Sequence, residues 1–210
     1  MHLSGRWAKR VLDLAIGLPA WMAIAPVCCL VALAIWVVHG KPVFFRQVRP
    51  GFNGAPFRIY KFCTMNNCCD QDGCLLPDSE RLTRLGRLLR KTSMDELPEL
   101  FNIIKGDMCI VGPRPLLMQY LDRYTPEQAR RHEVRPGLTG WAQVNGRNAL
   151  SWEEKFEMDV WYVDHWSLEL DLKIIGRTVL KVLRREGISA EGHATAEEFM
   201  GSRKGATAQR

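Results

Sequence analysis

Asp95 and Glu96 stand side by side in "RKTSMDELPEL" (Arg90–Leu100), after a run of arginines and before Pro98. Ser93 followed three residues later by Glu96 matches a capping box, in which hydroxyl and carboxylate satisfy the first N–H groups of a helix. Pro98 offers a second helix start, with Leu97 as N-cap, because proline favours the first helical position. Under either start Asp95 sits at or beside a helix N-terminus. The positive end of the macrodipole there is expected to lower its pKa and keep it ionised. An ionised, oriented aspartate can attack phosphorus and form an acyl phosphate. Capping and catalysis are therefore compatible for this pair.

Two further stretches suit phosphate chemistry. "VGPRP" (Val111–Pro115) holds Arg114 between two prolines after a Gly–Pro turn. Such an arginine can grip a phosphate bidentately, with nearby backbone N–H groups beside it. "RPGLTGWAQVNGRN" (Arg135–Asn148) puts three glycines, a tryptophan and two arginines in a stretch too turn-rich for a simple core strand. It reads as a site-forming loop.

The elements that must position these residues follow from pattern. "PVFFRQV" and "FRIYKF" flank the turn-rich "RPGFNGAP" and predict a β-hairpin. Arg81, Arg84, Arg87 and Arg90 recur every third residue among Leu82, Leu85, Leu88 and Leu89. That is a short basic amphipathic helix, suited to a solvated face or to anionic headgroups. Further helices are predicted around Asp95–Lys105, in "PEQARRHEV", in "SWEEKFEMDVWYVDHW" and in "LDLKIIGRTVLKVLRR"; the last ten residues read as disordered.

From Leu14 to Val38 the chain runs 25 residues without a charge. A helix needs about 20 such residues to cross a bilayer. Pro26 lies at the centre, where it removes a hydrogen bond and kinks or breaks the helix. Both flanks are basic: Arg6, Lys9 and Arg10 before, Lys41, Arg46 and Arg49 after. Basic flanks stay in the cytoplasm, so a segment with two of them enters and leaves by one face. A re-entrant helix bent at Pro26 meets this condition; a single kinked span is the alternative.

Composition agrees with an anionic partner. The formal net charge is +6 and the pI about 9.0. No nucleic-acid motif accompanies that charge, which leaves a membrane surface or a phosphorylated substrate. The seven cysteines show no disulfide framework and read as reduced thiols. The C-x4-C-C-x4-C spacing of Cys63, Cys68, Cys69 and Cys74 is not that of a zinc site.

Taken in order, "GKPVFFRQVRPGFNGAPFRIYKF", "RLTRLGRLLRKTSMDELPELFNIIKGDM", "IVGPRPLL", "HEVRPGLTGWAQVNGRNALSWEEKFEMDVWYV" and "LDLKI" resemble the bacterial sugar transferases. The likeness is to their small monotopic phosphoglycosyl transferases of the PglC type. It runs from about residue 8 to 185, and "EGHATAEEFMG" is similar to the tail of that branch. The resemblance implies transfer of a phosphosugar from a UDP-sugar to polyprenol (undecaprenyl) phosphate, with release of UMP and a need for Mg²⁺. It places the protein at the bacterial inner membrane, monotopic, among membrane lipids, with its catalytic part facing the cytoplasm. Carried over by motif, Asp95 is the nucleophile and Glu96 its partner, both near the metal, and Arg90 and Arg114 contact phosphate. Lys61, Arg147 and Asp159 transfer more weakly as substrate contacts. The tail implies an N-acetylated amino sugar such as diacetylbacillosamine, with GalNAc, GlcNAc and galactose as alternatives. Cys63 stands where the family usually has arginine, and Cys109 where serine is common.

The expected fold is α+β and mostly helical. It has a re-entrant membrane anchor (1–40), a catalytic part (41–188) with interfacial helices and a small hairpin sheet, and a C-terminal tail (189–210). The sequence leaves the oligomeric state open, a homodimer included. The competing class is a membrane-bound scaffold, which would have no use for the Asp–Glu/Arg constellation.

Overall fold

The computed structural model describes residues 3–70, 72–146, 150–184 and 198–201. The described residues are mostly helical, as expected, and hold the expected hairpin sheet and a second small sheet. Helix α1 (Leu3–His39) leads into a hairpin of β1 (Phe44–Pro50) and β2 (Pro56–Phe62). Helices α2 (Asp78–Arg81), α3 (Arg84–Lys91) and α4 (Glu99–Lys105) follow, then β3 (Cys109–Val111) and α5 (Pro126–Ala129). Strand β4 (Gly137–Thr139) precedes α6 (Trp141–Asn145), α7 (Trp152–Asp164) and α8 (Leu168–Arg184).

Helix α1 continues through Pro26 rather than ending there. Proline removes one donor from the ladder, and the flanking residues keep helical backbone. Apolar side chains such as Met22, Leu30, Leu33, Trp36 and Val37 are exposed along it. A helix this long and this apolar, left uncovered by protein, belongs in a bilayer. The protein is membrane-associated.

The rest of α1 is docked on the body. Arg10 donates to the Ile103 and Ile104 carbonyls at 2.6 Å each, near the C-terminal end of α4, where a basic side chain suits the last carbonyls. Lys9 Nζ lies 2.6 Å from Asp171 Oδ2 and 3.1 Å from the Tyr162 hydroxyl. The Asp13 carboxylate accepts from Ile110 N–H at 2.9 Å. Further along, Cys28, Val31 and Ile35 pack with Phe62 and Leu89.

The hairpin is antiparallel, with Gln47 opposite Ile59 and Arg49 opposite Phe57. Asn53 turns it in the left-handed region (φ 53°), which asparagine tolerates. The basic amphipathic helix forms as α3, capped by Thr83 Oγ1, which accepts from Gly86 N–H. Gly86 lies against β2's continuation: a Cβ there would sit 1.8 Å from the Thr64 carbonyl oxygen. Helices α7 and α8 form where the pattern places them.

The glycine-rich stretch holds a surprise. Part of "RPGLTG" is β4, paired in parallel with β3, Cys109 opposite Gly137 and Val111 opposite Thr139. The glycines serve close approach. A Cβ at Gly137 would meet Gly112 N at 2.1 Å, and one at Gly140 would meet the Gly112 carbonyl oxygen at 2.2 Å. The loops after β3 and β4 thus emerge side by side.

Part of the expected tail is held against the body. Phe199 is buried and stacks among Tyr120, Tyr124, Trp152 and Phe156. Glu198 pairs with Arg123 at 2.9 Å. Apolar burial draws this part of 189–210 onto the catalytic body. The expected disorder of residues 202–210 lies outside the described residues.

The Lys9–Asp171 pair is closed off from water on both sides. Removing one partner of such a pair costs about 3–5 kcal/mol, because the other charge stays buried. Lys9→Met is therefore expected to lower the melting temperature in detergent markedly, and Lys9→Met/Asp171→Leu to recover part of the loss.

Candidate active site

Asp95 and Glu96 sit on a single 3-10 turn, Met94–Glu96, between α3 and α4. Ser93 enters the turn in the left-handed region (φ 55°, ψ 18°), and its side chain makes no cap. The capping box is not formed. Helix α4 instead begins at Glu99, with Pro98 as its N-cap position.

Glu96 is turned elsewhere because two cations claim it. Its Oε1 accepts from Lys61 Nζ at 2.6 Å and from Arg114 Nη2. Charge-assisted bonds of this kind are roughly twice as strong as a neutral bond to backbone N–H. Burial alone would raise the Glu96 pKa, but Arg114 and Lys61 together outweigh it and hold the carboxyl well below its usual range. Glu96 in turn holds the Arg114 guanidinium firmly charged.

Lys61 also lies 3.0 Å from Glu99 Oε1. Glu99 is only 2% exposed, and that oxygen makes no aligned hydrogen bond among the described residues. Burial, joined by the charge of Glu96, pushes its carboxyl up to about 7 against the pull of Lys61 and Arg114.

Asp95 is the carboxylate left unengaged. It makes no ion pair among the described residues. Burial and the neighbouring Glu96 charge raise its pKa to about 6, opposed by Lys61, Arg90 and Arg114. The lowered pKa expected from a helix dipole is thus reversed. The turn is three residues long, too short for much dipole, and burial beside a second carboxylate dominates. At neutral pH Asp95 remains largely ionised, with its basicity increased.

Arg90 projects from α3, its Nε 3.0 Å from Thr64 Oγ1. Arg114 is held from behind. The Arg114 carbonyl accepts from Arg131 Nη2 at 2.8 Å, and Arg131 is paired with Asp159 at 2.7 Å. Asp159 is 4% exposed: it lies behind Arg114 as a support, not at the open surface. Gly112 N–H donates to the Thr139 carbonyl and Gly137 N–H to the Pro113 carbonyl, fixing the chain just before Arg114. Arg147 lies outside the described residues.

The structure therefore gathers Lys61, Arg90, Asp95, Glu96 and Arg114 into one charged cluster and adds Glu99 and Arg131. Glu99 is the third carboxylate of "DELPE", and that density was the signal for it. The Arg131–Asp159 pair had none, because its partners are 28 residues apart. Among the described residues no group of three or more His, Cys, Asp or Glu is placed to hold a metal. Cys63 is a half-buried thiol whose pKa is raised by burial. Cys109 is buried, its thiol pushed up to about 12.

Residues 4–185 match the family model described as bacterial sugar transferase. The chain belongs to the bacterial sugar transferase family. It is 59% identical over 200 residues to an uncharacterized sugar transferase, EpsL, of Bacillus subtilis, covering 92% of this chain and 96% of that one. It is 43% identical over 190 residues to a UDP-glucose:undecaprenyl-phosphate glucose-1-phosphate transferase of Caulobacter vibrioides, covering 83% of this chain and 69% of the relative. A protein of the same description from Escherichia coli is 38% identical, over 85% of this chain and 41% of its own length. The matched span includes every member of the charged cluster.

Glu96→Gln removes the charge that raises Asp95 and frees Lys61 and Arg114 to act on it. Both effects point downward. The Asp95 carboxyl, followed by carbon NMR in the full chain, is expected to titrate below its value of about 6 in this variant.

Proposed function

We propose that this protein transfers a sugar phosphate from a UDP-sugar to undecaprenyl phosphate, through a covalent phosphosugar on Asp95. The observation that supports this most is the contrast within the carboxylate pair. Glu96 is neutralised by two cations, while Asp95 stays unpaired and more basic beside them.

In the first step an Asp95 oxygen attacks the sugar-bearing phosphorus. The bond from that phosphorus to the bridging oxygen breaks, and UMP leaves with the electron pair. In the second step an oxygen of undecaprenyl phosphate attacks the same phosphorus, and the Asp95 carboxylate departs. The acceptor phosphate is largely ionised near neutral pH, with a second pKa of about 6, so the second step needs no general base. Asp95 and the donor diphosphate repel one another. Arg90 and Arg114 are the groups that can offset this repulsion along the line of approach.

Asp95 and Glu96 offer two hard carboxylates, a donor set that suits Mg²⁺, which binds through one or two carboxylates together with substrate phosphates and water. Asp95 makes no ion pair among the described residues, which leaves its oxygens open to such a cation. When bound, Mg²⁺ would neutralise phosphate charge in the donor.

The anchor suits this chemistry. Lys9 and Arg10 near the start of α1, and Val31 and Ile35 near its end, contact the same body. That supports entry and exit by one membrane face, with the body on the cytoplasmic side of the inner membrane where UDP-sugars and the lipid headgroup meet. Relatives named for UDP-glucose put glucose first among donors; N-acetylated amino sugars remain in the panel.

The test is UMP release by the full chain in detergent with undecaprenyl phosphate, Mg²⁺ and a panel of UDP-sugars. Turnover with one donor is expected, reduced at least about a thousandfold in Asp95→Asn. The rate should rise about tenfold per pH unit up to roughly pH 6 and then level, since only ionised Asp95 attacks. No turnover with any donor would overturn the reading.

A further inference from the structure

Arg49 is the last residue but one of β1, just before Pro50. It shares a strand face with Gln47, and their cross-strand partners Phe57 and Ile59 belong to the core and its margin. That face turns inward, so the guanidinium is half-buried, and its Nε is closed off from water with no partner. Its one hydrogen bond among the described residues runs from Nη2 to Gln47 Oε1 at 2.6 Å, although a guanidinium has five N–H donors. No carboxylate pairs with it among the described residues.

Its surroundings make this costly. Burial and the like charge of Arg114 disfavour its charged form, while Glu99, Tyr120 and Tyr124 lie within electrostatic reach. Arg114 is claimed by Glu96 and Glu99 by Lys61. The cluster thus sets Arg49, Lys61, Arg90 and Arg114 against Asp95, Glu96 and Glu99, and Glu99 is itself partly protonated near neutral pH. Two guanidinium groups drawn together with one carboxylate too few describe a site missing an anion.

We propose that Arg49 is a phosphate-binding residue of this site, acting beside Arg114 on a phosphate group of a substrate. Naming that substrate rests on the transfer reading above; the binding of phosphate oxygens does not. The donor diphosphate and the lipid phosphate share the chemistry that Arg49 would recognise.

The experiment measures binding of UDP and of uridine to the full chain in detergent, and the KM for each substrate. It compares the native chain with Arg49→Gln and Arg49→Lys. Loss of a charged hydrogen-bonding group predicts about tenfold or weaker UDP binding in Arg49→Gln. Uridine binding should hold, and Arg49→Lys should recover part of the loss. That result assigns Arg49 to the donor. Unchanged UDP binding with about a tenfold higher KM for undecaprenyl phosphate assigns it to the acceptor. UDP binding and both KM values unchanged, or UDP and uridine weakened alike with a lowered melting temperature, would overturn the proposal. Arg49-dependent UDP binding without turnover in the native chain would sink the transfer reading and leave Arg49 standing.

Discussion

The site depends on one electrostatic constraint: two adjacent carboxylates must have different fates. Two unit negative charges a few ångströms apart are costly wherever water is partly excluded. Here Lys61 and Arg114 both close on Glu96, and Asp95 is left without an ion pair among the described residues. Everything around the pair serves that asymmetry. Strand β2 delivers Lys61, the loop after β3 delivers Arg114, and the left-handed Ser93 turns the pair between them.

The scaffold explains why Arg114 stays where it is. The parallel β3–β4 pair brings two loops together through glycines too close for side chains. Arg131, fixed by buried Asp159, holds the Arg114 carbonyl. Helix α1 ties into the same region, since Asp13 accepts from Ile110 of β3. The membrane helix and the charged cluster therefore share a strand. The aromatic cage around Phe199 lies over Tyr124, whose hydroxyl is 3.4 Å from Arg131.

Much of this was legible in the residues. The hairpin followed from its turn residues, α3 from its leucine–arginine alternation, α8 from its apolar stripe, and the anchor from an uncharged run. Asp95, Glu96, Arg90 and Arg114 were singled out from short motifs, and they do converge. What failed was local grammar overruled by distant charge. Ser93 and Glu96 have the spacing of a capping box, but Lys61, 35 residues away, decides where Glu96 points. The sign of the Asp95 shift failed for the same reason, because burial and pairing are properties of the assembled site. Strand β4 hid in a glycine-rich stretch because three-residue strands have too little period to read. The partner of Arg114's backbone and the exposed need of Arg49 are likewise invisible until the chain is folded.

The central claim is that the unpaired carboxylate forms the covalent link. Its most direct measurement is the intact mass of the full chain after mixing with the UDP-sugar it turns over, Mg²⁺ and no lipid acceptor. The account predicts a mass increase equal to one phosphosugar, located on Asp95 by peptide analysis and discharged when undecaprenyl phosphate is added. Turnover with both substrates, without any such adduct under conditions that release UMP, would contradict it.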